Sequence, residues 1–472
     1  MAELLHHDLA WPERAEGVSP PDLPVARRLA EEVLAPRTFP TEVIAKTKTC
    51  LLDFLSCAFE ARDLPWSRQA CDAAVKQAGA ATIIGTSVRA TPSDAVFANA
   101  VLGHGLVRED MHTGSVAHLG VVVWPTVLVA AETRPVHGAD LLAAAITGYE
   151  IGGRVGRRLM TADLARLFRP TGLVGPLAAA AAGARLSGLN AGPTANAIAF
   201  AVNTASGLNQ WPHTGSDDMY FHPGFAARNA LTCVALAAAG AQGSPAIFEG
   251  EAGMFAAFAR KPLAGAIELF PSGEAEISAV FNKPVPACNY AQTPCQVALA
   301  ITRETQLDSH RIRHIDVRVS DAAVRYPGCD GKGPFRRALQ AKMSIAFGVA
   351  ATFARGEIAE GNYRLLDDPE IDRLVAATTL ATDPQFTAAY PARQGATVRV
   401  TLDDGSVAER SMEDVVFATA EFVRRRFRAA AAEALGADGA ARIETAVDGL
   451  EASEDAGEVI RLCAIGTLAV GR

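Results

Sequence analysis

The sequence predicts a mainly α protein, a large all-helical domain with a smaller α+β lid domain built on an antiparallel sheet. Three observations carry this prediction. Apolar residues recur at helical spacing from Val25 to about Arg260. Strand alternation and a hairpin signal appear only after Pro262. Helical periodicity returns after Met412. At 472 residues the chain exceeds one ordinary core. With 49 % hydrophobic and 20 % charged residues, it reads as a globular protein with a large interior.

Residues 1–24 read as a loose leader rich in Pro and charge. The first helices then follow, with Ile44, Leu51, Phe54, Leu55 and Ala58 on one face. Breakers at 36–42, 90–94, 134–140, 190–194 and 242–246 divide the helical region. Ser93 and Asp94 before Ala95 and Val96 read as a helix start. The Ala/Gly-rich run from Gly172 to Leu189 reads as a tightly packed buried helix. Beyond Pro262, Ile312, Ile315, Val317 and Val319 give a strand signal, and Leu339 to Arg355 reads as a helix. The stretch 396–412, with AspGly at its turn, reads as a β-hairpin. The resulting division is 1–264 for the first part of the helical domain, 265–411 for the lid and 412–472 for the returning helical part. A cleft between the two domains is the default ligand site.

Composition excludes several classes. The net charge is −8 and the only basic run, RRRFR at 424–428, sits in a helical pattern, so nucleic acid is not an expected partner. The most apolar run, Gly120 to Ala131, is too short to span a membrane and contains Pro125. The first residues have no apolar core of the signal-peptide kind. The 8 Cys lack CxxC spacing, which argues against a structural zinc site or a disulfide framework and fits a reducing cytoplasm. Gly148, Gly152, Gly153 and Gly156 follow a helical pattern rather than a strand, so they do not form a phosphate loop.

The stretch from Phe97 to Val127 concentrates the chemistry. It holds His104, Glu109, Asp110, His112 and His118 inside apolar sequence, in a chain with only 10 His. Burying so many titratable groups is costly unless they are paired or used. His104, His112 and His118 are not at a regular ligand spacing on one helix face, so no metal is expected.

Several phrases now fall in order: LLDFLSCAFEA at 51–61, HGLVREDMH at 104–112, HGADLLAAAITGYEIGGRVG at 137–156 and GLVGPLAAAAAGARLSGLN at 172–190. ASGLNQW at 205–211, HPGFAARNALTCVALAAAG at 222–240, IFEGEAGMFAAF at 247–258, KPVPAC at 283–288 and AKMSIAFGVAATFARGEI at 341–358 complete the series. Together they resemble the MmgE/PrpD family over nearly the whole chain from about residue 25. That family includes 2-methylcitrate dehydratase, cis-aconitate decarboxylase and iminodisuccinate epimerase. The resemblance implies a helical domain with an α+β lid, commonly a homodimer, and chemistry on small polycarboxylates without metal or cofactor.

The departures from the family pattern are informative. Val107 stands where the family has an active-site Asp, Met111 where it has Thr, Arg169 where it has His, and Met219 where it has Lys. Gln292 replaces another family His. His118 and Lys283 match the family's active-site His and lid Lys. Arg keeps a cation that can grip a carboxylate but cannot act as a base near neutral pH. Epimerisation needs one base, a conjugate acid on the opposite face and cations for the enolate-like intermediate.

The resemblance together with these departures therefore points to a cofactor-independent epimerase of a small dicarboxylate such as iminodisuccinate. His118, Lys283 and Tyr149 are the candidate catalytic residues. Arg169, Asp110, His112, His222 and Gln292 are the candidate substrate-binding residues. Each also has a structural reading: Tyr149 packs unless its pKa falls well below ~10, Arg169 caps a helix, and Asp110 and His112 orient His118. His104 reads as a packed helix residue and Cys288 as a core thiol. A lyase of the same family and a non-catalytic binding protein stand as alternatives.

Overall fold

The computed structural model describes residues 23–466, so most of the leader lies outside the described residues. The body is helical and is centred on the helix Pro170–Leu186. Around it pack the helices Gly120–Glu132, Gly138–Leu159, Ala191–Asn203 and Asp218–Ala238. Its Ala178–Ala182 run is fully buried, as small residues at close helix crossings require. The glycine-rich face of Gly138–Leu159 serves this crossing. A Cβ on Gly152 would lie 2.9 Å from the Ala178 Cβ and 2.7 Å from Leu119. The four glycines thus sit within one helix, as the periodicity indicated.

The helix Pro92–His104 begins where the breaker at 90–94 ends, and the Thr91 hydroxyl accepts from the Asp94 amide. One short hairpin, Lys76–Thr82 with Arg89–Ala90, interrupts the helical region. It carries little strand alternation and escapes a periodicity reading.

The second part of the chain holds a four-stranded sheet, ordered Thr378–Thr382, Ile312–Val319, Ala396–Leu402, Val407–Met412. Ile315, Val317, Val319, Val398 and Val400 point to its buried face. The expected hairpin is present, with Gly405 at φ +83° in its turn. The sheet is mixed rather than purely antiparallel, because Thr378–Thr382 adds as a parallel edge strand beside Ile312–Val319. Its sequence, TTLAT, is short and mostly polar on its open side, so no alternation announces it. The helix expected over 339–355 is broken at Ser344, whose hydroxyl caps the second piece through the Phe347 amide.

After the sheet the chain returns to the helical body. The helix Ala420–Asp448 lies along Thr41–Ala61, with the Phe59 and Phe427 rings 6.3 Å apart. The basic run is spent internally: Arg424 and Arg428 pair with Glu444, and Arg426 pairs with buried Asp53. Among the described residues, no helix is long and apolar enough to cross a membrane.

Candidate active site

The segment after the helix Pro92–His104 turns sharply, and the turn places the site. Val107 adopts φ +58° and Val116 φ +53°, a left-handed conformation that β-branched residues avoid. The turn is held from below by two fully buried lysines. Lys283 donates to the Val107 carbonyl, and Lys342 donates to the Leu106 carbonyl at 2.8 Å. Lys342 also binds the Pro286 carbonyl at 3.2 Å and Glu360 at 2.6 Å, joining the turn to the α+β part. Strain of this kind persists only where the surroundings over-determine it, and it clusters at functional sites.

Against this turn lies a small cavity. Val107, Met111, Val116, His118, Arg169 and Met219 wall it from the helical part. Cys288, Asn289, Tyr290, Tyr326 and Met343 wall it from the α+β part. Its space open to the centre of a water molecule is about 20 Å³, room for roughly one water. Three of the chain's 7 Met line it, side chains that re-pack readily when a ligand enters. Tyr326 also walls a larger groove of about 870 Å³ between Arg166–His213 and Val324–Gln340.

Behind His118 runs a buried polar chain. Glu109 Oε1 lies 2.6 Å from Nδ1 of His104 and 2.9 Å from Nδ1 of His118. The Asp110 carbonyl lies 3.0 Å from the same His118 nitrogen. Arg169 Nη2 lies 3.2 Å from His104 Nε2. Guanidinium can only donate, so His104 accepts at Nε2 and carries its proton on Nδ1, facing Glu109. His118 Nδ1–H faces the Asp110 carbonyl and the same carboxylate, both of which only accept, and this leaves Nε2 with its lone pair for a ligand.

The electrostatics agree. Two imidazoles hold the Glu109 carboxyl well below its usual range despite burial. Burial pushes His118 down to about 3, outweighing the pull of Glu109, so it is a neutral base at physiological pH. Burial also brings Lys283 down to about 8. Arg169 Nη1 donates to the Tyr326 hydroxyl at 3.3 Å, and its Nε has no partner within the protein.

His104, Glu109 and His118 offer three ligand atoms within 4.8 Å of one another, the one such group among the described residues. A cation there would displace both imidazole protons from Glu109. It would also sit in the field of Arg169 and Lys283, both of which already bear on these imidazoles. The donor set therefore fits a hydrogen-bonded relay better than a metal.

The structure sorts the sequence candidates. His118 and Arg169 line the cavity. Lys283 lies one layer back, behind Val107. His222 is not among the lining residues, though its ring and Arg169 both crowd Gly207. Tyr149 lies outside the cavity lining: its hydroxyl donates to Asp110, accepts from Trp124 at 3.1 Å and is pushed well above its usual range by burial. Asp110 accepts from Tyr149 and the Gly120 amide, behind the cavity. His112 is outside the lining as well, with its ring nitrogens at 2.5 Å from Glu276 and 2.7 Å from Ser115. Gln292 binds no ligand position either. Its carboxamide braces the 285–288 loop through Val285, Ala287 and Cys288.

Glu109, Cys288, Tyr326 and Lys342 were not among the sequence candidates. Glu109 stood in the titratable cluster, but nothing in its spacing showed that it lies between two imidazoles. Val107, Met111, Arg169 and Met219, four of the five departures from the family pattern, line this cavity, and Gln292 does not.

Comparison with known proteins agrees with this architecture. The MmgE/PrpD N-terminal domain matches residues 28–265 and the MmgE/PrpD C-terminal domain matches residues 285–452. The chain belongs to the MmgE/PrpD family. Within it, the chain is similar to the cis-aconitate decarboxylase-like protein oryM of Aspergillus oryzae, at 27 % identity over 91 % of this chain and 94 % of that protein. It is similar to the cis-aconitate decarboxylase of Aspergillus terreus at 25 % identity, over 80 % of this chain and 82 % of that protein. The mouse cis-aconitate decarboxylase is 26 % identical over 79 % of each chain. These relatives are enzymes, and by name they are lyases rather than epimerases.

Proposed function

We propose that this MmgE/PrpD protein is a proton-transfer enzyme that epimerises a small acid at the carbon next to a carboxylate. The observation that supports this reading is the pairing of His118 with Arg169 on one cavity wall. His118 Nε2 takes the α-proton while Nδ1 stays hydrogen-bonded to Glu109, which stabilises the imidazolium that forms. Arg169 holds the carboxylate beside the reacting carbon and stabilises the enolate-like charge that develops there.

The wall also bears on the substrate class. Arg169 is its single permanent cation, and Val107, Met111 and Met219 replace groups that could bind further oxygens. A mono- or dicarboxylate of iminodisuccinate type suits this wall better than a tricarboxylate. Action in the cytoplasm and as a homodimer belongs to the same proposal and rests on composition and on the family resemblance respectively.

A decarboxylase is the second reading, and the names of the relatives favour it. There the carboxylate leaves as CO₂ with its bonding pair retained on carbon, and a wall residue protonates that carbon. An apolar wall favours the loss of charge from the departing group.

Proton NMR in D₂O with iminodisuccinate enantiomers, 2-methylcitrate, citrate and cis-aconitate separates the two readings. Loss of the α-proton signal with scrambled configuration supports the epimerase. Itaconate from cis-aconitate, or an alkene from a hydroxyacid, replaces it with the lyase.

A further inference from the structure

Cys288 is the one thiol on the cavity wall, and its surroundings differ from those of a core cysteine. Its Sγ lies 3.6 Å from the Sγ of Cys329. Its amide donates to the Lys342 carbonyl at 2.9 Å, and Gln292 binds its carbonyl at 3.3 Å, so the loop is fixed from both sides. Next to it Asn289, also on the wall and 5 % exposed, carries a buried Oδ1 with no partner in the protein. Arg169, 5 % exposed, brings an unpartnered Nε to the same wall. Two buried polar atoms without protein partners at one small cavity mark a place built for a polar ligand.

We propose that Cys288 is a second catalytic residue, the proton donor and acceptor that works on the substrate carbon from the α+β side while His118 works from the helical side. This rests on the proton-transfer reading above. In one direction the C–H bond breaks and an N–H bond forms at His118 Nε2, with the electron pair delocalised into the carboxylate. The Cys288 S–H bond then breaks and a new C–H bond forms on the other face, leaving a thiolate. The reverse reaction uses the same groups with their protons exchanged, so no other reactant is consumed.

The surroundings suit a thiol that changes protonation state. Cys288 shares a hydrogen bond with the Cys329 thiol, and Lys283 and Arg169 add positive charge. These effects draw Cys288 down to about 7, while Cys329 is pushed well up by burial. A thiol near neutral pH can both give and take a proton.

The test uses the full chain, its Cys288→Ala, Cys288→Ser and His118→Ala variants, and the panel acids in D₂O. With Cys288→Ala, inversion is expected to fall by about 100-fold or more. Exchange at the His118 face persists there with configuration retained. A purely structural role would lower exchange and inversion together, and that result would overturn the proposal, as would full inversion in Cys288→Ala. Loss of exchange in the wild type, or exchange in His118→Ala of the enantiomer that still exchanges in Cys288→Ala, would instead count against the proton-transfer reading.

Alkylation by iodoacetamide, located by peptide mass, supplies a readout independent of turnover. Half-maximal labelling of Cys288 near pH 7, moving up in Cys329→Ala, supports the assignment. Half-maximal labelling at the ordinary thiol value of about 8.5, or no labelling at any pH, overturns it.

Discussion

Arg169 and His104 meet at 3.2 Å, Nη2 to Nε2, and this contact sets the protonation of everything behind the cavity. Because the guanidinium can only donate, His104 must present its proton to Glu109, whose carboxylate also lies 2.9 Å from His118 Nδ1. The residue that the sequence offers as a carboxylate clamp is thus also the reference point of a relay behind the cavity.

The relay predicts that Glu109→Gln is far more damaging to activity than to shape. The amide keeps the volume but carries no charge for the imidazolium formed at His118. Turnover should fall by about 10²–10⁴-fold. Steady-state kinetics checks this, with circular dichroism confirming the helical content.

Arg169→Lys should not substitute for Arg169. One ammonium cannot reach both His104 and Tyr326, contacts that the guanidinium makes from separate nitrogens. KM is expected to rise by about tenfold or more, and kcat to fall with it as the His104 tautomer is released.

Acid should destabilise the fold well above the range where its carboxylates titrate. His104, His112, His118 and His222 are all held below the ordinary imidazole value by burial, His118 to about 3 and His222 to about 4. The unfolded chain therefore binds these protons first, near pH 6.5, and stability falls as pH drops from about 7 towards 4. Glu276, held at about 2 mainly by His112, adds a loss at lower pH with the same sign. Thermal melts at pH 7.5 and 5.5 should show a lower Tm at 5.5.

Gly120→Ala should disturb the structure behind the cavity. A Cβ there would lie 2.4 Å from the Tyr149 hydroxyl and 2.7 Å from Asp110 Oδ2, two groups already bonded to each other. A cost of about 1–3 kcal/mol is expected in urea unfolding.

The fold class was legible because its signals are local. Helical spacing, the breaker at 90–94 and the AspGly turn each act within a few residues. The parallel strand Thr378–Thr382 was not, since its partner lies some sixty residues earlier and its own pattern is weak. His118 and Arg169 could be placed through the family pattern. Tyr149 and His112 could not be told from site residues, because what removes them is a distant partner: Asp110 for one and Glu276 for the other. Cys288 was read as core because only the tertiary fold sets it beside Cys329 and the cavity.

Exchange at the substrate's α-carbon tests the central claim most directly. The measurement is the rate at which the wild-type protein and His118→Ala wash deuterium from D₂O into the small acids of the panel. The account predicts exchange by the wild type on at least one acid and, for the enantiomer that still exchanges in Cys288→Ala, a loss of about 10²-fold or more in His118→Ala. Exchange of that same enantiomer surviving in His118→Ala, or no exchange on any acid in the wild type, would contradict it.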